Sequence, residues 1–79
     1  MIVNIVTAEN SKHYSELIWI EITTTAGNFI ILPGHAPIIA MLIADKPIIL
    51  QQKDEKVEII QLQRPAILEF INDQATIII

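Results

Sequence analysis

Two histidines, His13 and His35, are the side chains in this chain best suited to moving a proton or holding a metal near neutral pH. They lie in different segments, with no cysteine or carboxylate placed to complete a metal-ligand spacing. A zinc site takes three or four such ligands, so one here would have to be gathered from distant parts of a fold. Ser11 and Ser15 flank His13, but a hydroxyl nucleophile needs an imidazole at hydrogen-bond distance and an acid to orient it. Neighbours along one extended segment do not converge in that way, and a solvated turn is the simpler reading. The carboxylates run from Glu9 to Asp73 through turns and polar strand faces, and no pattern pairs two of them for acid–base work. With two glycines, neither opening a helix, no loop of the phosphate-cradling type is present. Catalysis, a metal, a cofactor and a small-molecule substrate are therefore not expected.

What surrounds His35 is more informative. Gly27 to Pro37 reads Gly-Asn-Phe-Ile-Ile-Leu-Pro-Gly-His-Ala-Pro. The apolar run Phe29 to Leu32 ends at Pro33-Gly34, and Ala36-Pro37 fences the imidazole on its other side. Pro33 fixes its own φ and holds Leu32 extended, Pro37 does the same to Ala36, and Gly34 takes a positive φ without strain. The expected element is a strand ending in a stiff turn that presents one ring. Such a turn has little conformational freedom to lose on docking, which suits a fixed contact surface. Taken without context, His35 reads as a turn imidazole bonded to nearby backbone, and Trp19 as packing within the fold.

At 79 residues the chain is a single domain spanning 1–79, small enough that one core is marginal in isolation. It is 52% hydrophobic, without cysteine, and rich in isoleucine, whose branched Cβ favours pleated sheet. A net charge of −4, with 5 basic residues scattered singly, argues against nucleic acid, whose binding needs clustered cations. Phe29 to Leu50 is apolar but is broken by three prolines, Gly34, His35 and Asp45-Lys46, so no run approaches the roughly 20 residues of a spanning helix. No secretory leader is visible at the N-terminus. The expectation is a soluble or peripheral protein, part of whose apolar excess is covered by a partner.

Short strands separated by turn signals organise the rest. Strands are expected at Ile2 to Val6, Leu17 to Thr25, Phe29 to Leu32, Ile38 to Ala44, Ile48 to Gln52, Val57 to Gln63, Ala66 to Ile71 and Ala75 to Ile79. Thr7 to His13 reads as polar turn, and Ala26-Gly27-Asn28, Asp45-Lys46-Pro47, Lys53 to Lys56, Arg64-Pro65 and Asn72-Asp73 as further turns. In the second strand Ile18, Ile20 and Ile22 are expected inside, leaving Leu17, Trp19, Glu21 and Thr23 on the more exposed face. The fold class is all-β: a small sandwich or flattened barrel of about eight to ten short, mostly antiparallel strands.

The segment Gly27 to Pro37 resembles the Gly-x-Phe-Gly-x-Leu-Pro-Gly-His-Ala-Pro stretch of the epsilon subunit of F-type ATP synthases, whose mitochondrial counterpart is called delta. Pro33-Gly34-His35-Ala36-Pro37 carries the likeness. Ile5 to Glu9, Tyr14-Ser15, Leu68-Glu69-Phe70 and Ala75-Thr76-Ile77 resemble further family segments, so the likeness extends over nearly the whole chain. Departures are Ile30 where the family has glycine, Asn28 where glutamate is common, Arg64-Pro65-Ala66 in place of Ser-Gly-Gly, and a turn rebuilt around Asp45-Lys46-Pro47.

The resemblance implies a non-catalytic rotor subunit at the foot of the central stalk. It would couple the gamma subunit to the c-ring, peripheral to the energy-transducing membrane on its cytoplasmic face. It further implies that Gly27 and Asn28 meet the c-ring, that His35, Ala36, Pro37 and Ile38 meet gamma, that Pro33 and Gly34 form the rigid turn, and that Trp19 anchors one of the interfaces. Family members continue into a regulatory helical hairpin, which the chain as given, ending at Ile79, is expected to lack. The other reading is a free-standing β-sandwich that binds a peptide or sugar.

Overall fold

The computed structural model describes residues 1–79 and contains strands β1 (Ile2–Val6), β2 (Ser11–Tyr14), β3 (Leu17–Thr24), β4 (Gly27–Ile31), β5 (Ile38–Leu42), β6 (Ile48–Gln52), β7 (Val57–Ile60), β8 (Ala66–Ile71) and β9 (Gln74–Ile78). Its helical content is one 3-10 turn, Lys53–Glu55, at the tip of the β6–β7 hairpin, and no helix is long and apolar enough to cross a membrane. A five-stranded sheet runs β2-β1-β9-β8-β5 and a four-stranded sheet β4-β3-β6-β7. All pairings are antiparallel except β1 with β9, so the first and last strands of the chain lie side by side. This is the two-layered all-β architecture expected.

Alternation on each strand places the core between the sheets. Ala66, Leu68 and Phe70 of β8, Ala75 and Ile77 of β9, and Val3 and Ile5 of β1 face Ile20 and Ile22 of β3 and Ile48 and Leu50 of β6. Every fully buried side chain is hydrophobic. With no buried polar group to specify register, strand alignment rests on shape, hairpin loops and the alternation itself.

Three local expectations need correction. Ser11–Tyr14 is a strand, not turn, because it pairs antiparallel with β1 from Val3↔Tyr14 to Val6↔Ser11. Its polar sequence shows the composition of a sheet edge. Within β3 the register shifts between Leu17 and Trp19, so Leu17 is buried while Ile18 is 42% exposed, the reverse of the expected assignment for both residues. A bulge adds one residue and moves everything on one side of it to the other face. Gly27 and Asn28 belong to β4, since the β3–β4 loop is the two-residue Thr25–Ala26. Neither loop residue takes a positive φ; that geometry falls on Gly27, at 126°. Elsewhere the expected strands hold, with ends shifted by one to three residues: β5 stops at Leu42, β7 at Ile60, and β9 runs Gln74–Ile78.

Candidate functional site

Leu32 to His35 form a tight turn closed by a hydrogen bond from the His35 N–H to the Leu32 carbonyl at 3.1 Å. Proline in the first central position and a glycine at φ 84° in the second give type II geometry. No atom lies within 4 Å of where a Gly34 Cβ would sit, so only the backbone angle opposes a side chain there. Gly34→Ala should cost about 1 kcal/mol, the left-handed penalty, without displacing the corner. Urea unfolding measures the first and a structure of the variant the second.

A second device fixes the turn. The Gly34 N–H donates to the Asp73 carboxylate, Oδ1, at 2.6 Å. Asp73 sits with Asn72 in the two-residue loop joining β8 to β9, both at positive φ (58° and 51°), the type I′ geometry that Asn and Asp tolerate. The Asp73 carbonyl also accepts from the Ile2 N–H at 3.1 Å. One loop therefore ties the corner to the start of β1.

His35 is exposed, and its Nδ1 lies 2.7 Å from the Ala36 carbonyl. A carbonyl only accepts, so Nδ1 carries a proton and donates it to Ala36. The ring stands edge-on to buried Phe70, with centroids 6.1 Å apart and planes at 84°. Pro33 to Pro37 are all exposed, and Ile38 is half-buried against the core. Beside them Pro37, Ile38, Ile39, Phe70 and Ile71 line a shallow, mostly apolar hollow of about 500 Å³ with Glu69 on its rim. The corner is rigid, exposed and apolar, with one imidazole. Those are the properties of a docking surface; the carboxylate at the corner, Asp73, is bonded to the Gly34 N–H, and His35 to the Ala36 carbonyl.

Gly27 and Asn28 lie at the other end of β4, six residue steps from Pro33, or about 20 Å of extended chain. The structure does not join them to the corner. The Asn28 amide points its NH₂ at Glu21 Oε2 (3.3 Å), the Ile22 carbonyl (3.2 Å) and Thr23 Oγ1 (3.2 Å). Its Oδ1 remains as an acceptor, and the Glu21 carboxylate is held beside it. Trp19 is half-buried on the outer face of the four-stranded sheet, opposite Gln51 of β6. By the β3–β4 register, in which Ile20 pairs with Ile31, it lies toward the corner end of β4 and away from Gly27 and Asn28. His13 bonds Asn4 across the β1–β2 pair, Nδ1 to Oδ1 at 2.6 Å, rather than either flanking serine. No three histidine, cysteine or acidic side chains gather to hold a metal ion.

Sequence reasoning missed Asp73 and Phe70 as members of the site. Asp73 reads as a turn residue, and its bond to Gly34 spans 39 positions, beyond any local signal. Phe70 reads only as the inner face of a strand.

The family model for the β-sandwich domain of the ATP synthase delta/epsilon chain matches residues 1–79. No curated protein matches the chain. Among solved structures it is similar to a chain of the Tetrahymena thermophila mitochondrial ATP synthase, in a structure of its central stalk and c-ring. The TM-score is 0.75 at 10% identity, covering 98% of this chain and 60% of that one. At that identity the likeness speaks to the fold, and the chain spans about three-fifths of its structural relative.

Proposed function

Since this chain belongs to the delta/epsilon β-sandwich family of ATP synthase, we propose that it serves as a rotor subunit of the central stalk. In this role it passes torque between the gamma subunit and the c-ring and makes or breaks no bond itself. It sits at the energy-transducing membrane through the complex, on the cytoplasmic face. The observation that carries the reading is the corner Pro33 to Pro37, exposed yet braced by the Gly34–Asp73 bond and seated on Phe70. A surface that transmits torque must resist shear, and close-packed apolar contact on a stiff turn does so where long flexible side chains would not.

His35, Ala36, Pro37 and Ile38 form the gamma contact in this assignment, with the neighbouring hollow taking an apolar side chain of that partner. Gly27 and Asn28 form the c-ring contact at the opposite end of β4. Two partners on either side of the rotor junction need two separated surfaces, and β4 provides that separation. Asn28 carries no charge, but Glu21 beside it does, so the c-ring contact keeps a partial ionic character. Glu21→Gln should lower its salt dependence, read as retention of the c-ring across a salt series. Trp19, large and rigid, is assigned as an interface anchor on the outer face of the four-stranded sheet.

Affinity isolation from the native membrane fraction tests the reading. The tagged chain should recover gamma and the catalytic head. His35→Asp or Ala36→Arg should weaken gamma binding by about tenfold or more, the cost of placing a charge in an apolar contact, with the thermal unfolding of the chain unchanged. Unaltered gamma binding in both variants would move the contact elsewhere, and recovery of no synthase subunit would remove the rotor reading.

A further inference from the structure

The side of the sandwich away from the proline corner is open. There β2 ends one sheet and β7 ends the other, and neither edge has a strand partner beyond it. The hollow between them has a volume of about 380 Å³, within the range of small-ligand sites. Ile5, Ile60 and Ile79 contribute to its apolar lining, and Tyr14 and the cations Lys12 and Arg64 are among the other residues around it.

Register explains how a lysine comes to be there. Lys12 is the cross-strand partner of Ile5, and Tyr14 that of Val3. Ile5 and Val3 are buried, so Lys12 and Tyr14 lie on the same, inward face of the sheet. Tyr14 packs against the core, while Lys12 stays exposed and lines the seam. Arg64 lies in the loop that crosses from β7 of the other sheet to β8. One carboxylate, Glu9, shares the lining, on the turn that Thr7 and Asn10 clamp through backbone and side-chain bonds of 2.9 to 3.1 Å. In a chain of net charge −4, two cations and one acid around an isoleucine floor are a local reversal of sign.

We propose that this seam binds a small organic anion: a carboxylate or phosphate monoester carried on a compact apolar body. Lys12 from β2 and Arg64 from the β7–β8 loop grip the anionic group. The apolar body lies on Ile5 and Ile60 against the Tyr14 ring. A bare inorganic anion would leave that floor unused, and a neutral apolar molecule would leave the cations unpaired. Occupancy bridges β2 and β7, so a bound ligand also closes the open side of the sandwich. Nothing in the rotor assignment requires this site.

Backbone amide shifts of the labelled chain, followed during titration, provide the test. The probes are phenyl phosphate and 4-methylpentanoate, with inorganic phosphate and 4-methylpentanol as controls. Saturable shifts at Lys12, Tyr14, Gln61 and Arg64 with both organic anions are expected, with binding at least about tenfold weaker for either control. Lys12→Gln and Arg64→Gln should each weaken the organic anions by about tenfold, the loss of one charge-assisted hydrogen bond. Equal binding of the neutral alcohol, unchanged affinity in both variants, or shifts on the outer sheet faces instead of the seam would overturn the proposal. Binding of inorganic phosphate as tightly as phenyl phosphate would also overturn it, as an adventitious ion only.

Discussion

Phe70→Ala should bring this domain to the edge of unfolding at room temperature. Phe70 is fully buried and is the largest side chain in the core. Removing a buried phenyl group costs about 3–5 kcal/mol. A globular chain of 79 residues has a total stability of about 4–12 kcal/mol at the usual 0.05–0.15 per residue. The loss is thus a large fraction of the whole, and urea unfolding should show a midpoint shifted to near zero denaturant. The residue has a second duty, since the His35 ring stands on it at 6.1 Å. Phe70→Leu keeps most of the apolar volume and removes the ring contact. It should leave a folded domain in which the His35 ring proton signals move and the proposed gamma contact weakens. A midpoint shift in Phe70→Ala worth less than about 1 kcal/mol would mean that the core does not close over this residue.

The second large effect separates two neighbours that sequence pattern assigns the wrong way round. Leu17→Ala should cost about 2–5 kcal/mol, because Leu17 is 3% exposed. Ile18→Ala should cost about 0.5 kcal/mol or less, because Ile18 is 42% exposed and faces outward. Leu17 also exchanges bonds with the start of the chain: its N–H donates to the Met1 carbonyl at 3.0 Å, and its carbonyl accepts from the Met1 amino group at 3.3 Å. Losing the side chain should therefore loosen the entry to β1, seen as faster amide exchange there. Equal costs for the two variants would remove the bulge from β3.

Both predictions concern one mechanical question: how a small sandwich offers a stiff outward surface. The proline corner rests on Phe70 and is tied by Asp73 to the loop beneath it. Stability of the core and rigidity of the proposed contact are then the same property, and a variant that softens one should soften the other.

The sheet-forming character of the chain lies in its residues one by one. Isoleucine-rich segments with period-two alternation, cut by Pro33-Gly34, Asp45-Lys46-Pro47 and Asn72-Asp73, leave little choice but short strands. The corner was equally legible, because proline and glycine restrict their own backbone wherever they occur. The family likeness also lay there, in Pro33 to Pro37. What the sequence left open is everything that depends on which strand meets which. Ser11–Tyr14 becomes a strand only because β1 is there to pair with it. Leu17 is inside only because β3 must meet β6 through a bulge. Asp73 braces Gly34 across 39 residues of chain, and Lys12 turns inward only because Ile5 is its partner. Local propensity acts over a few residues, whereas pairing and burial are settled between segments, so these placements emerged only when the two sheets closed on one another.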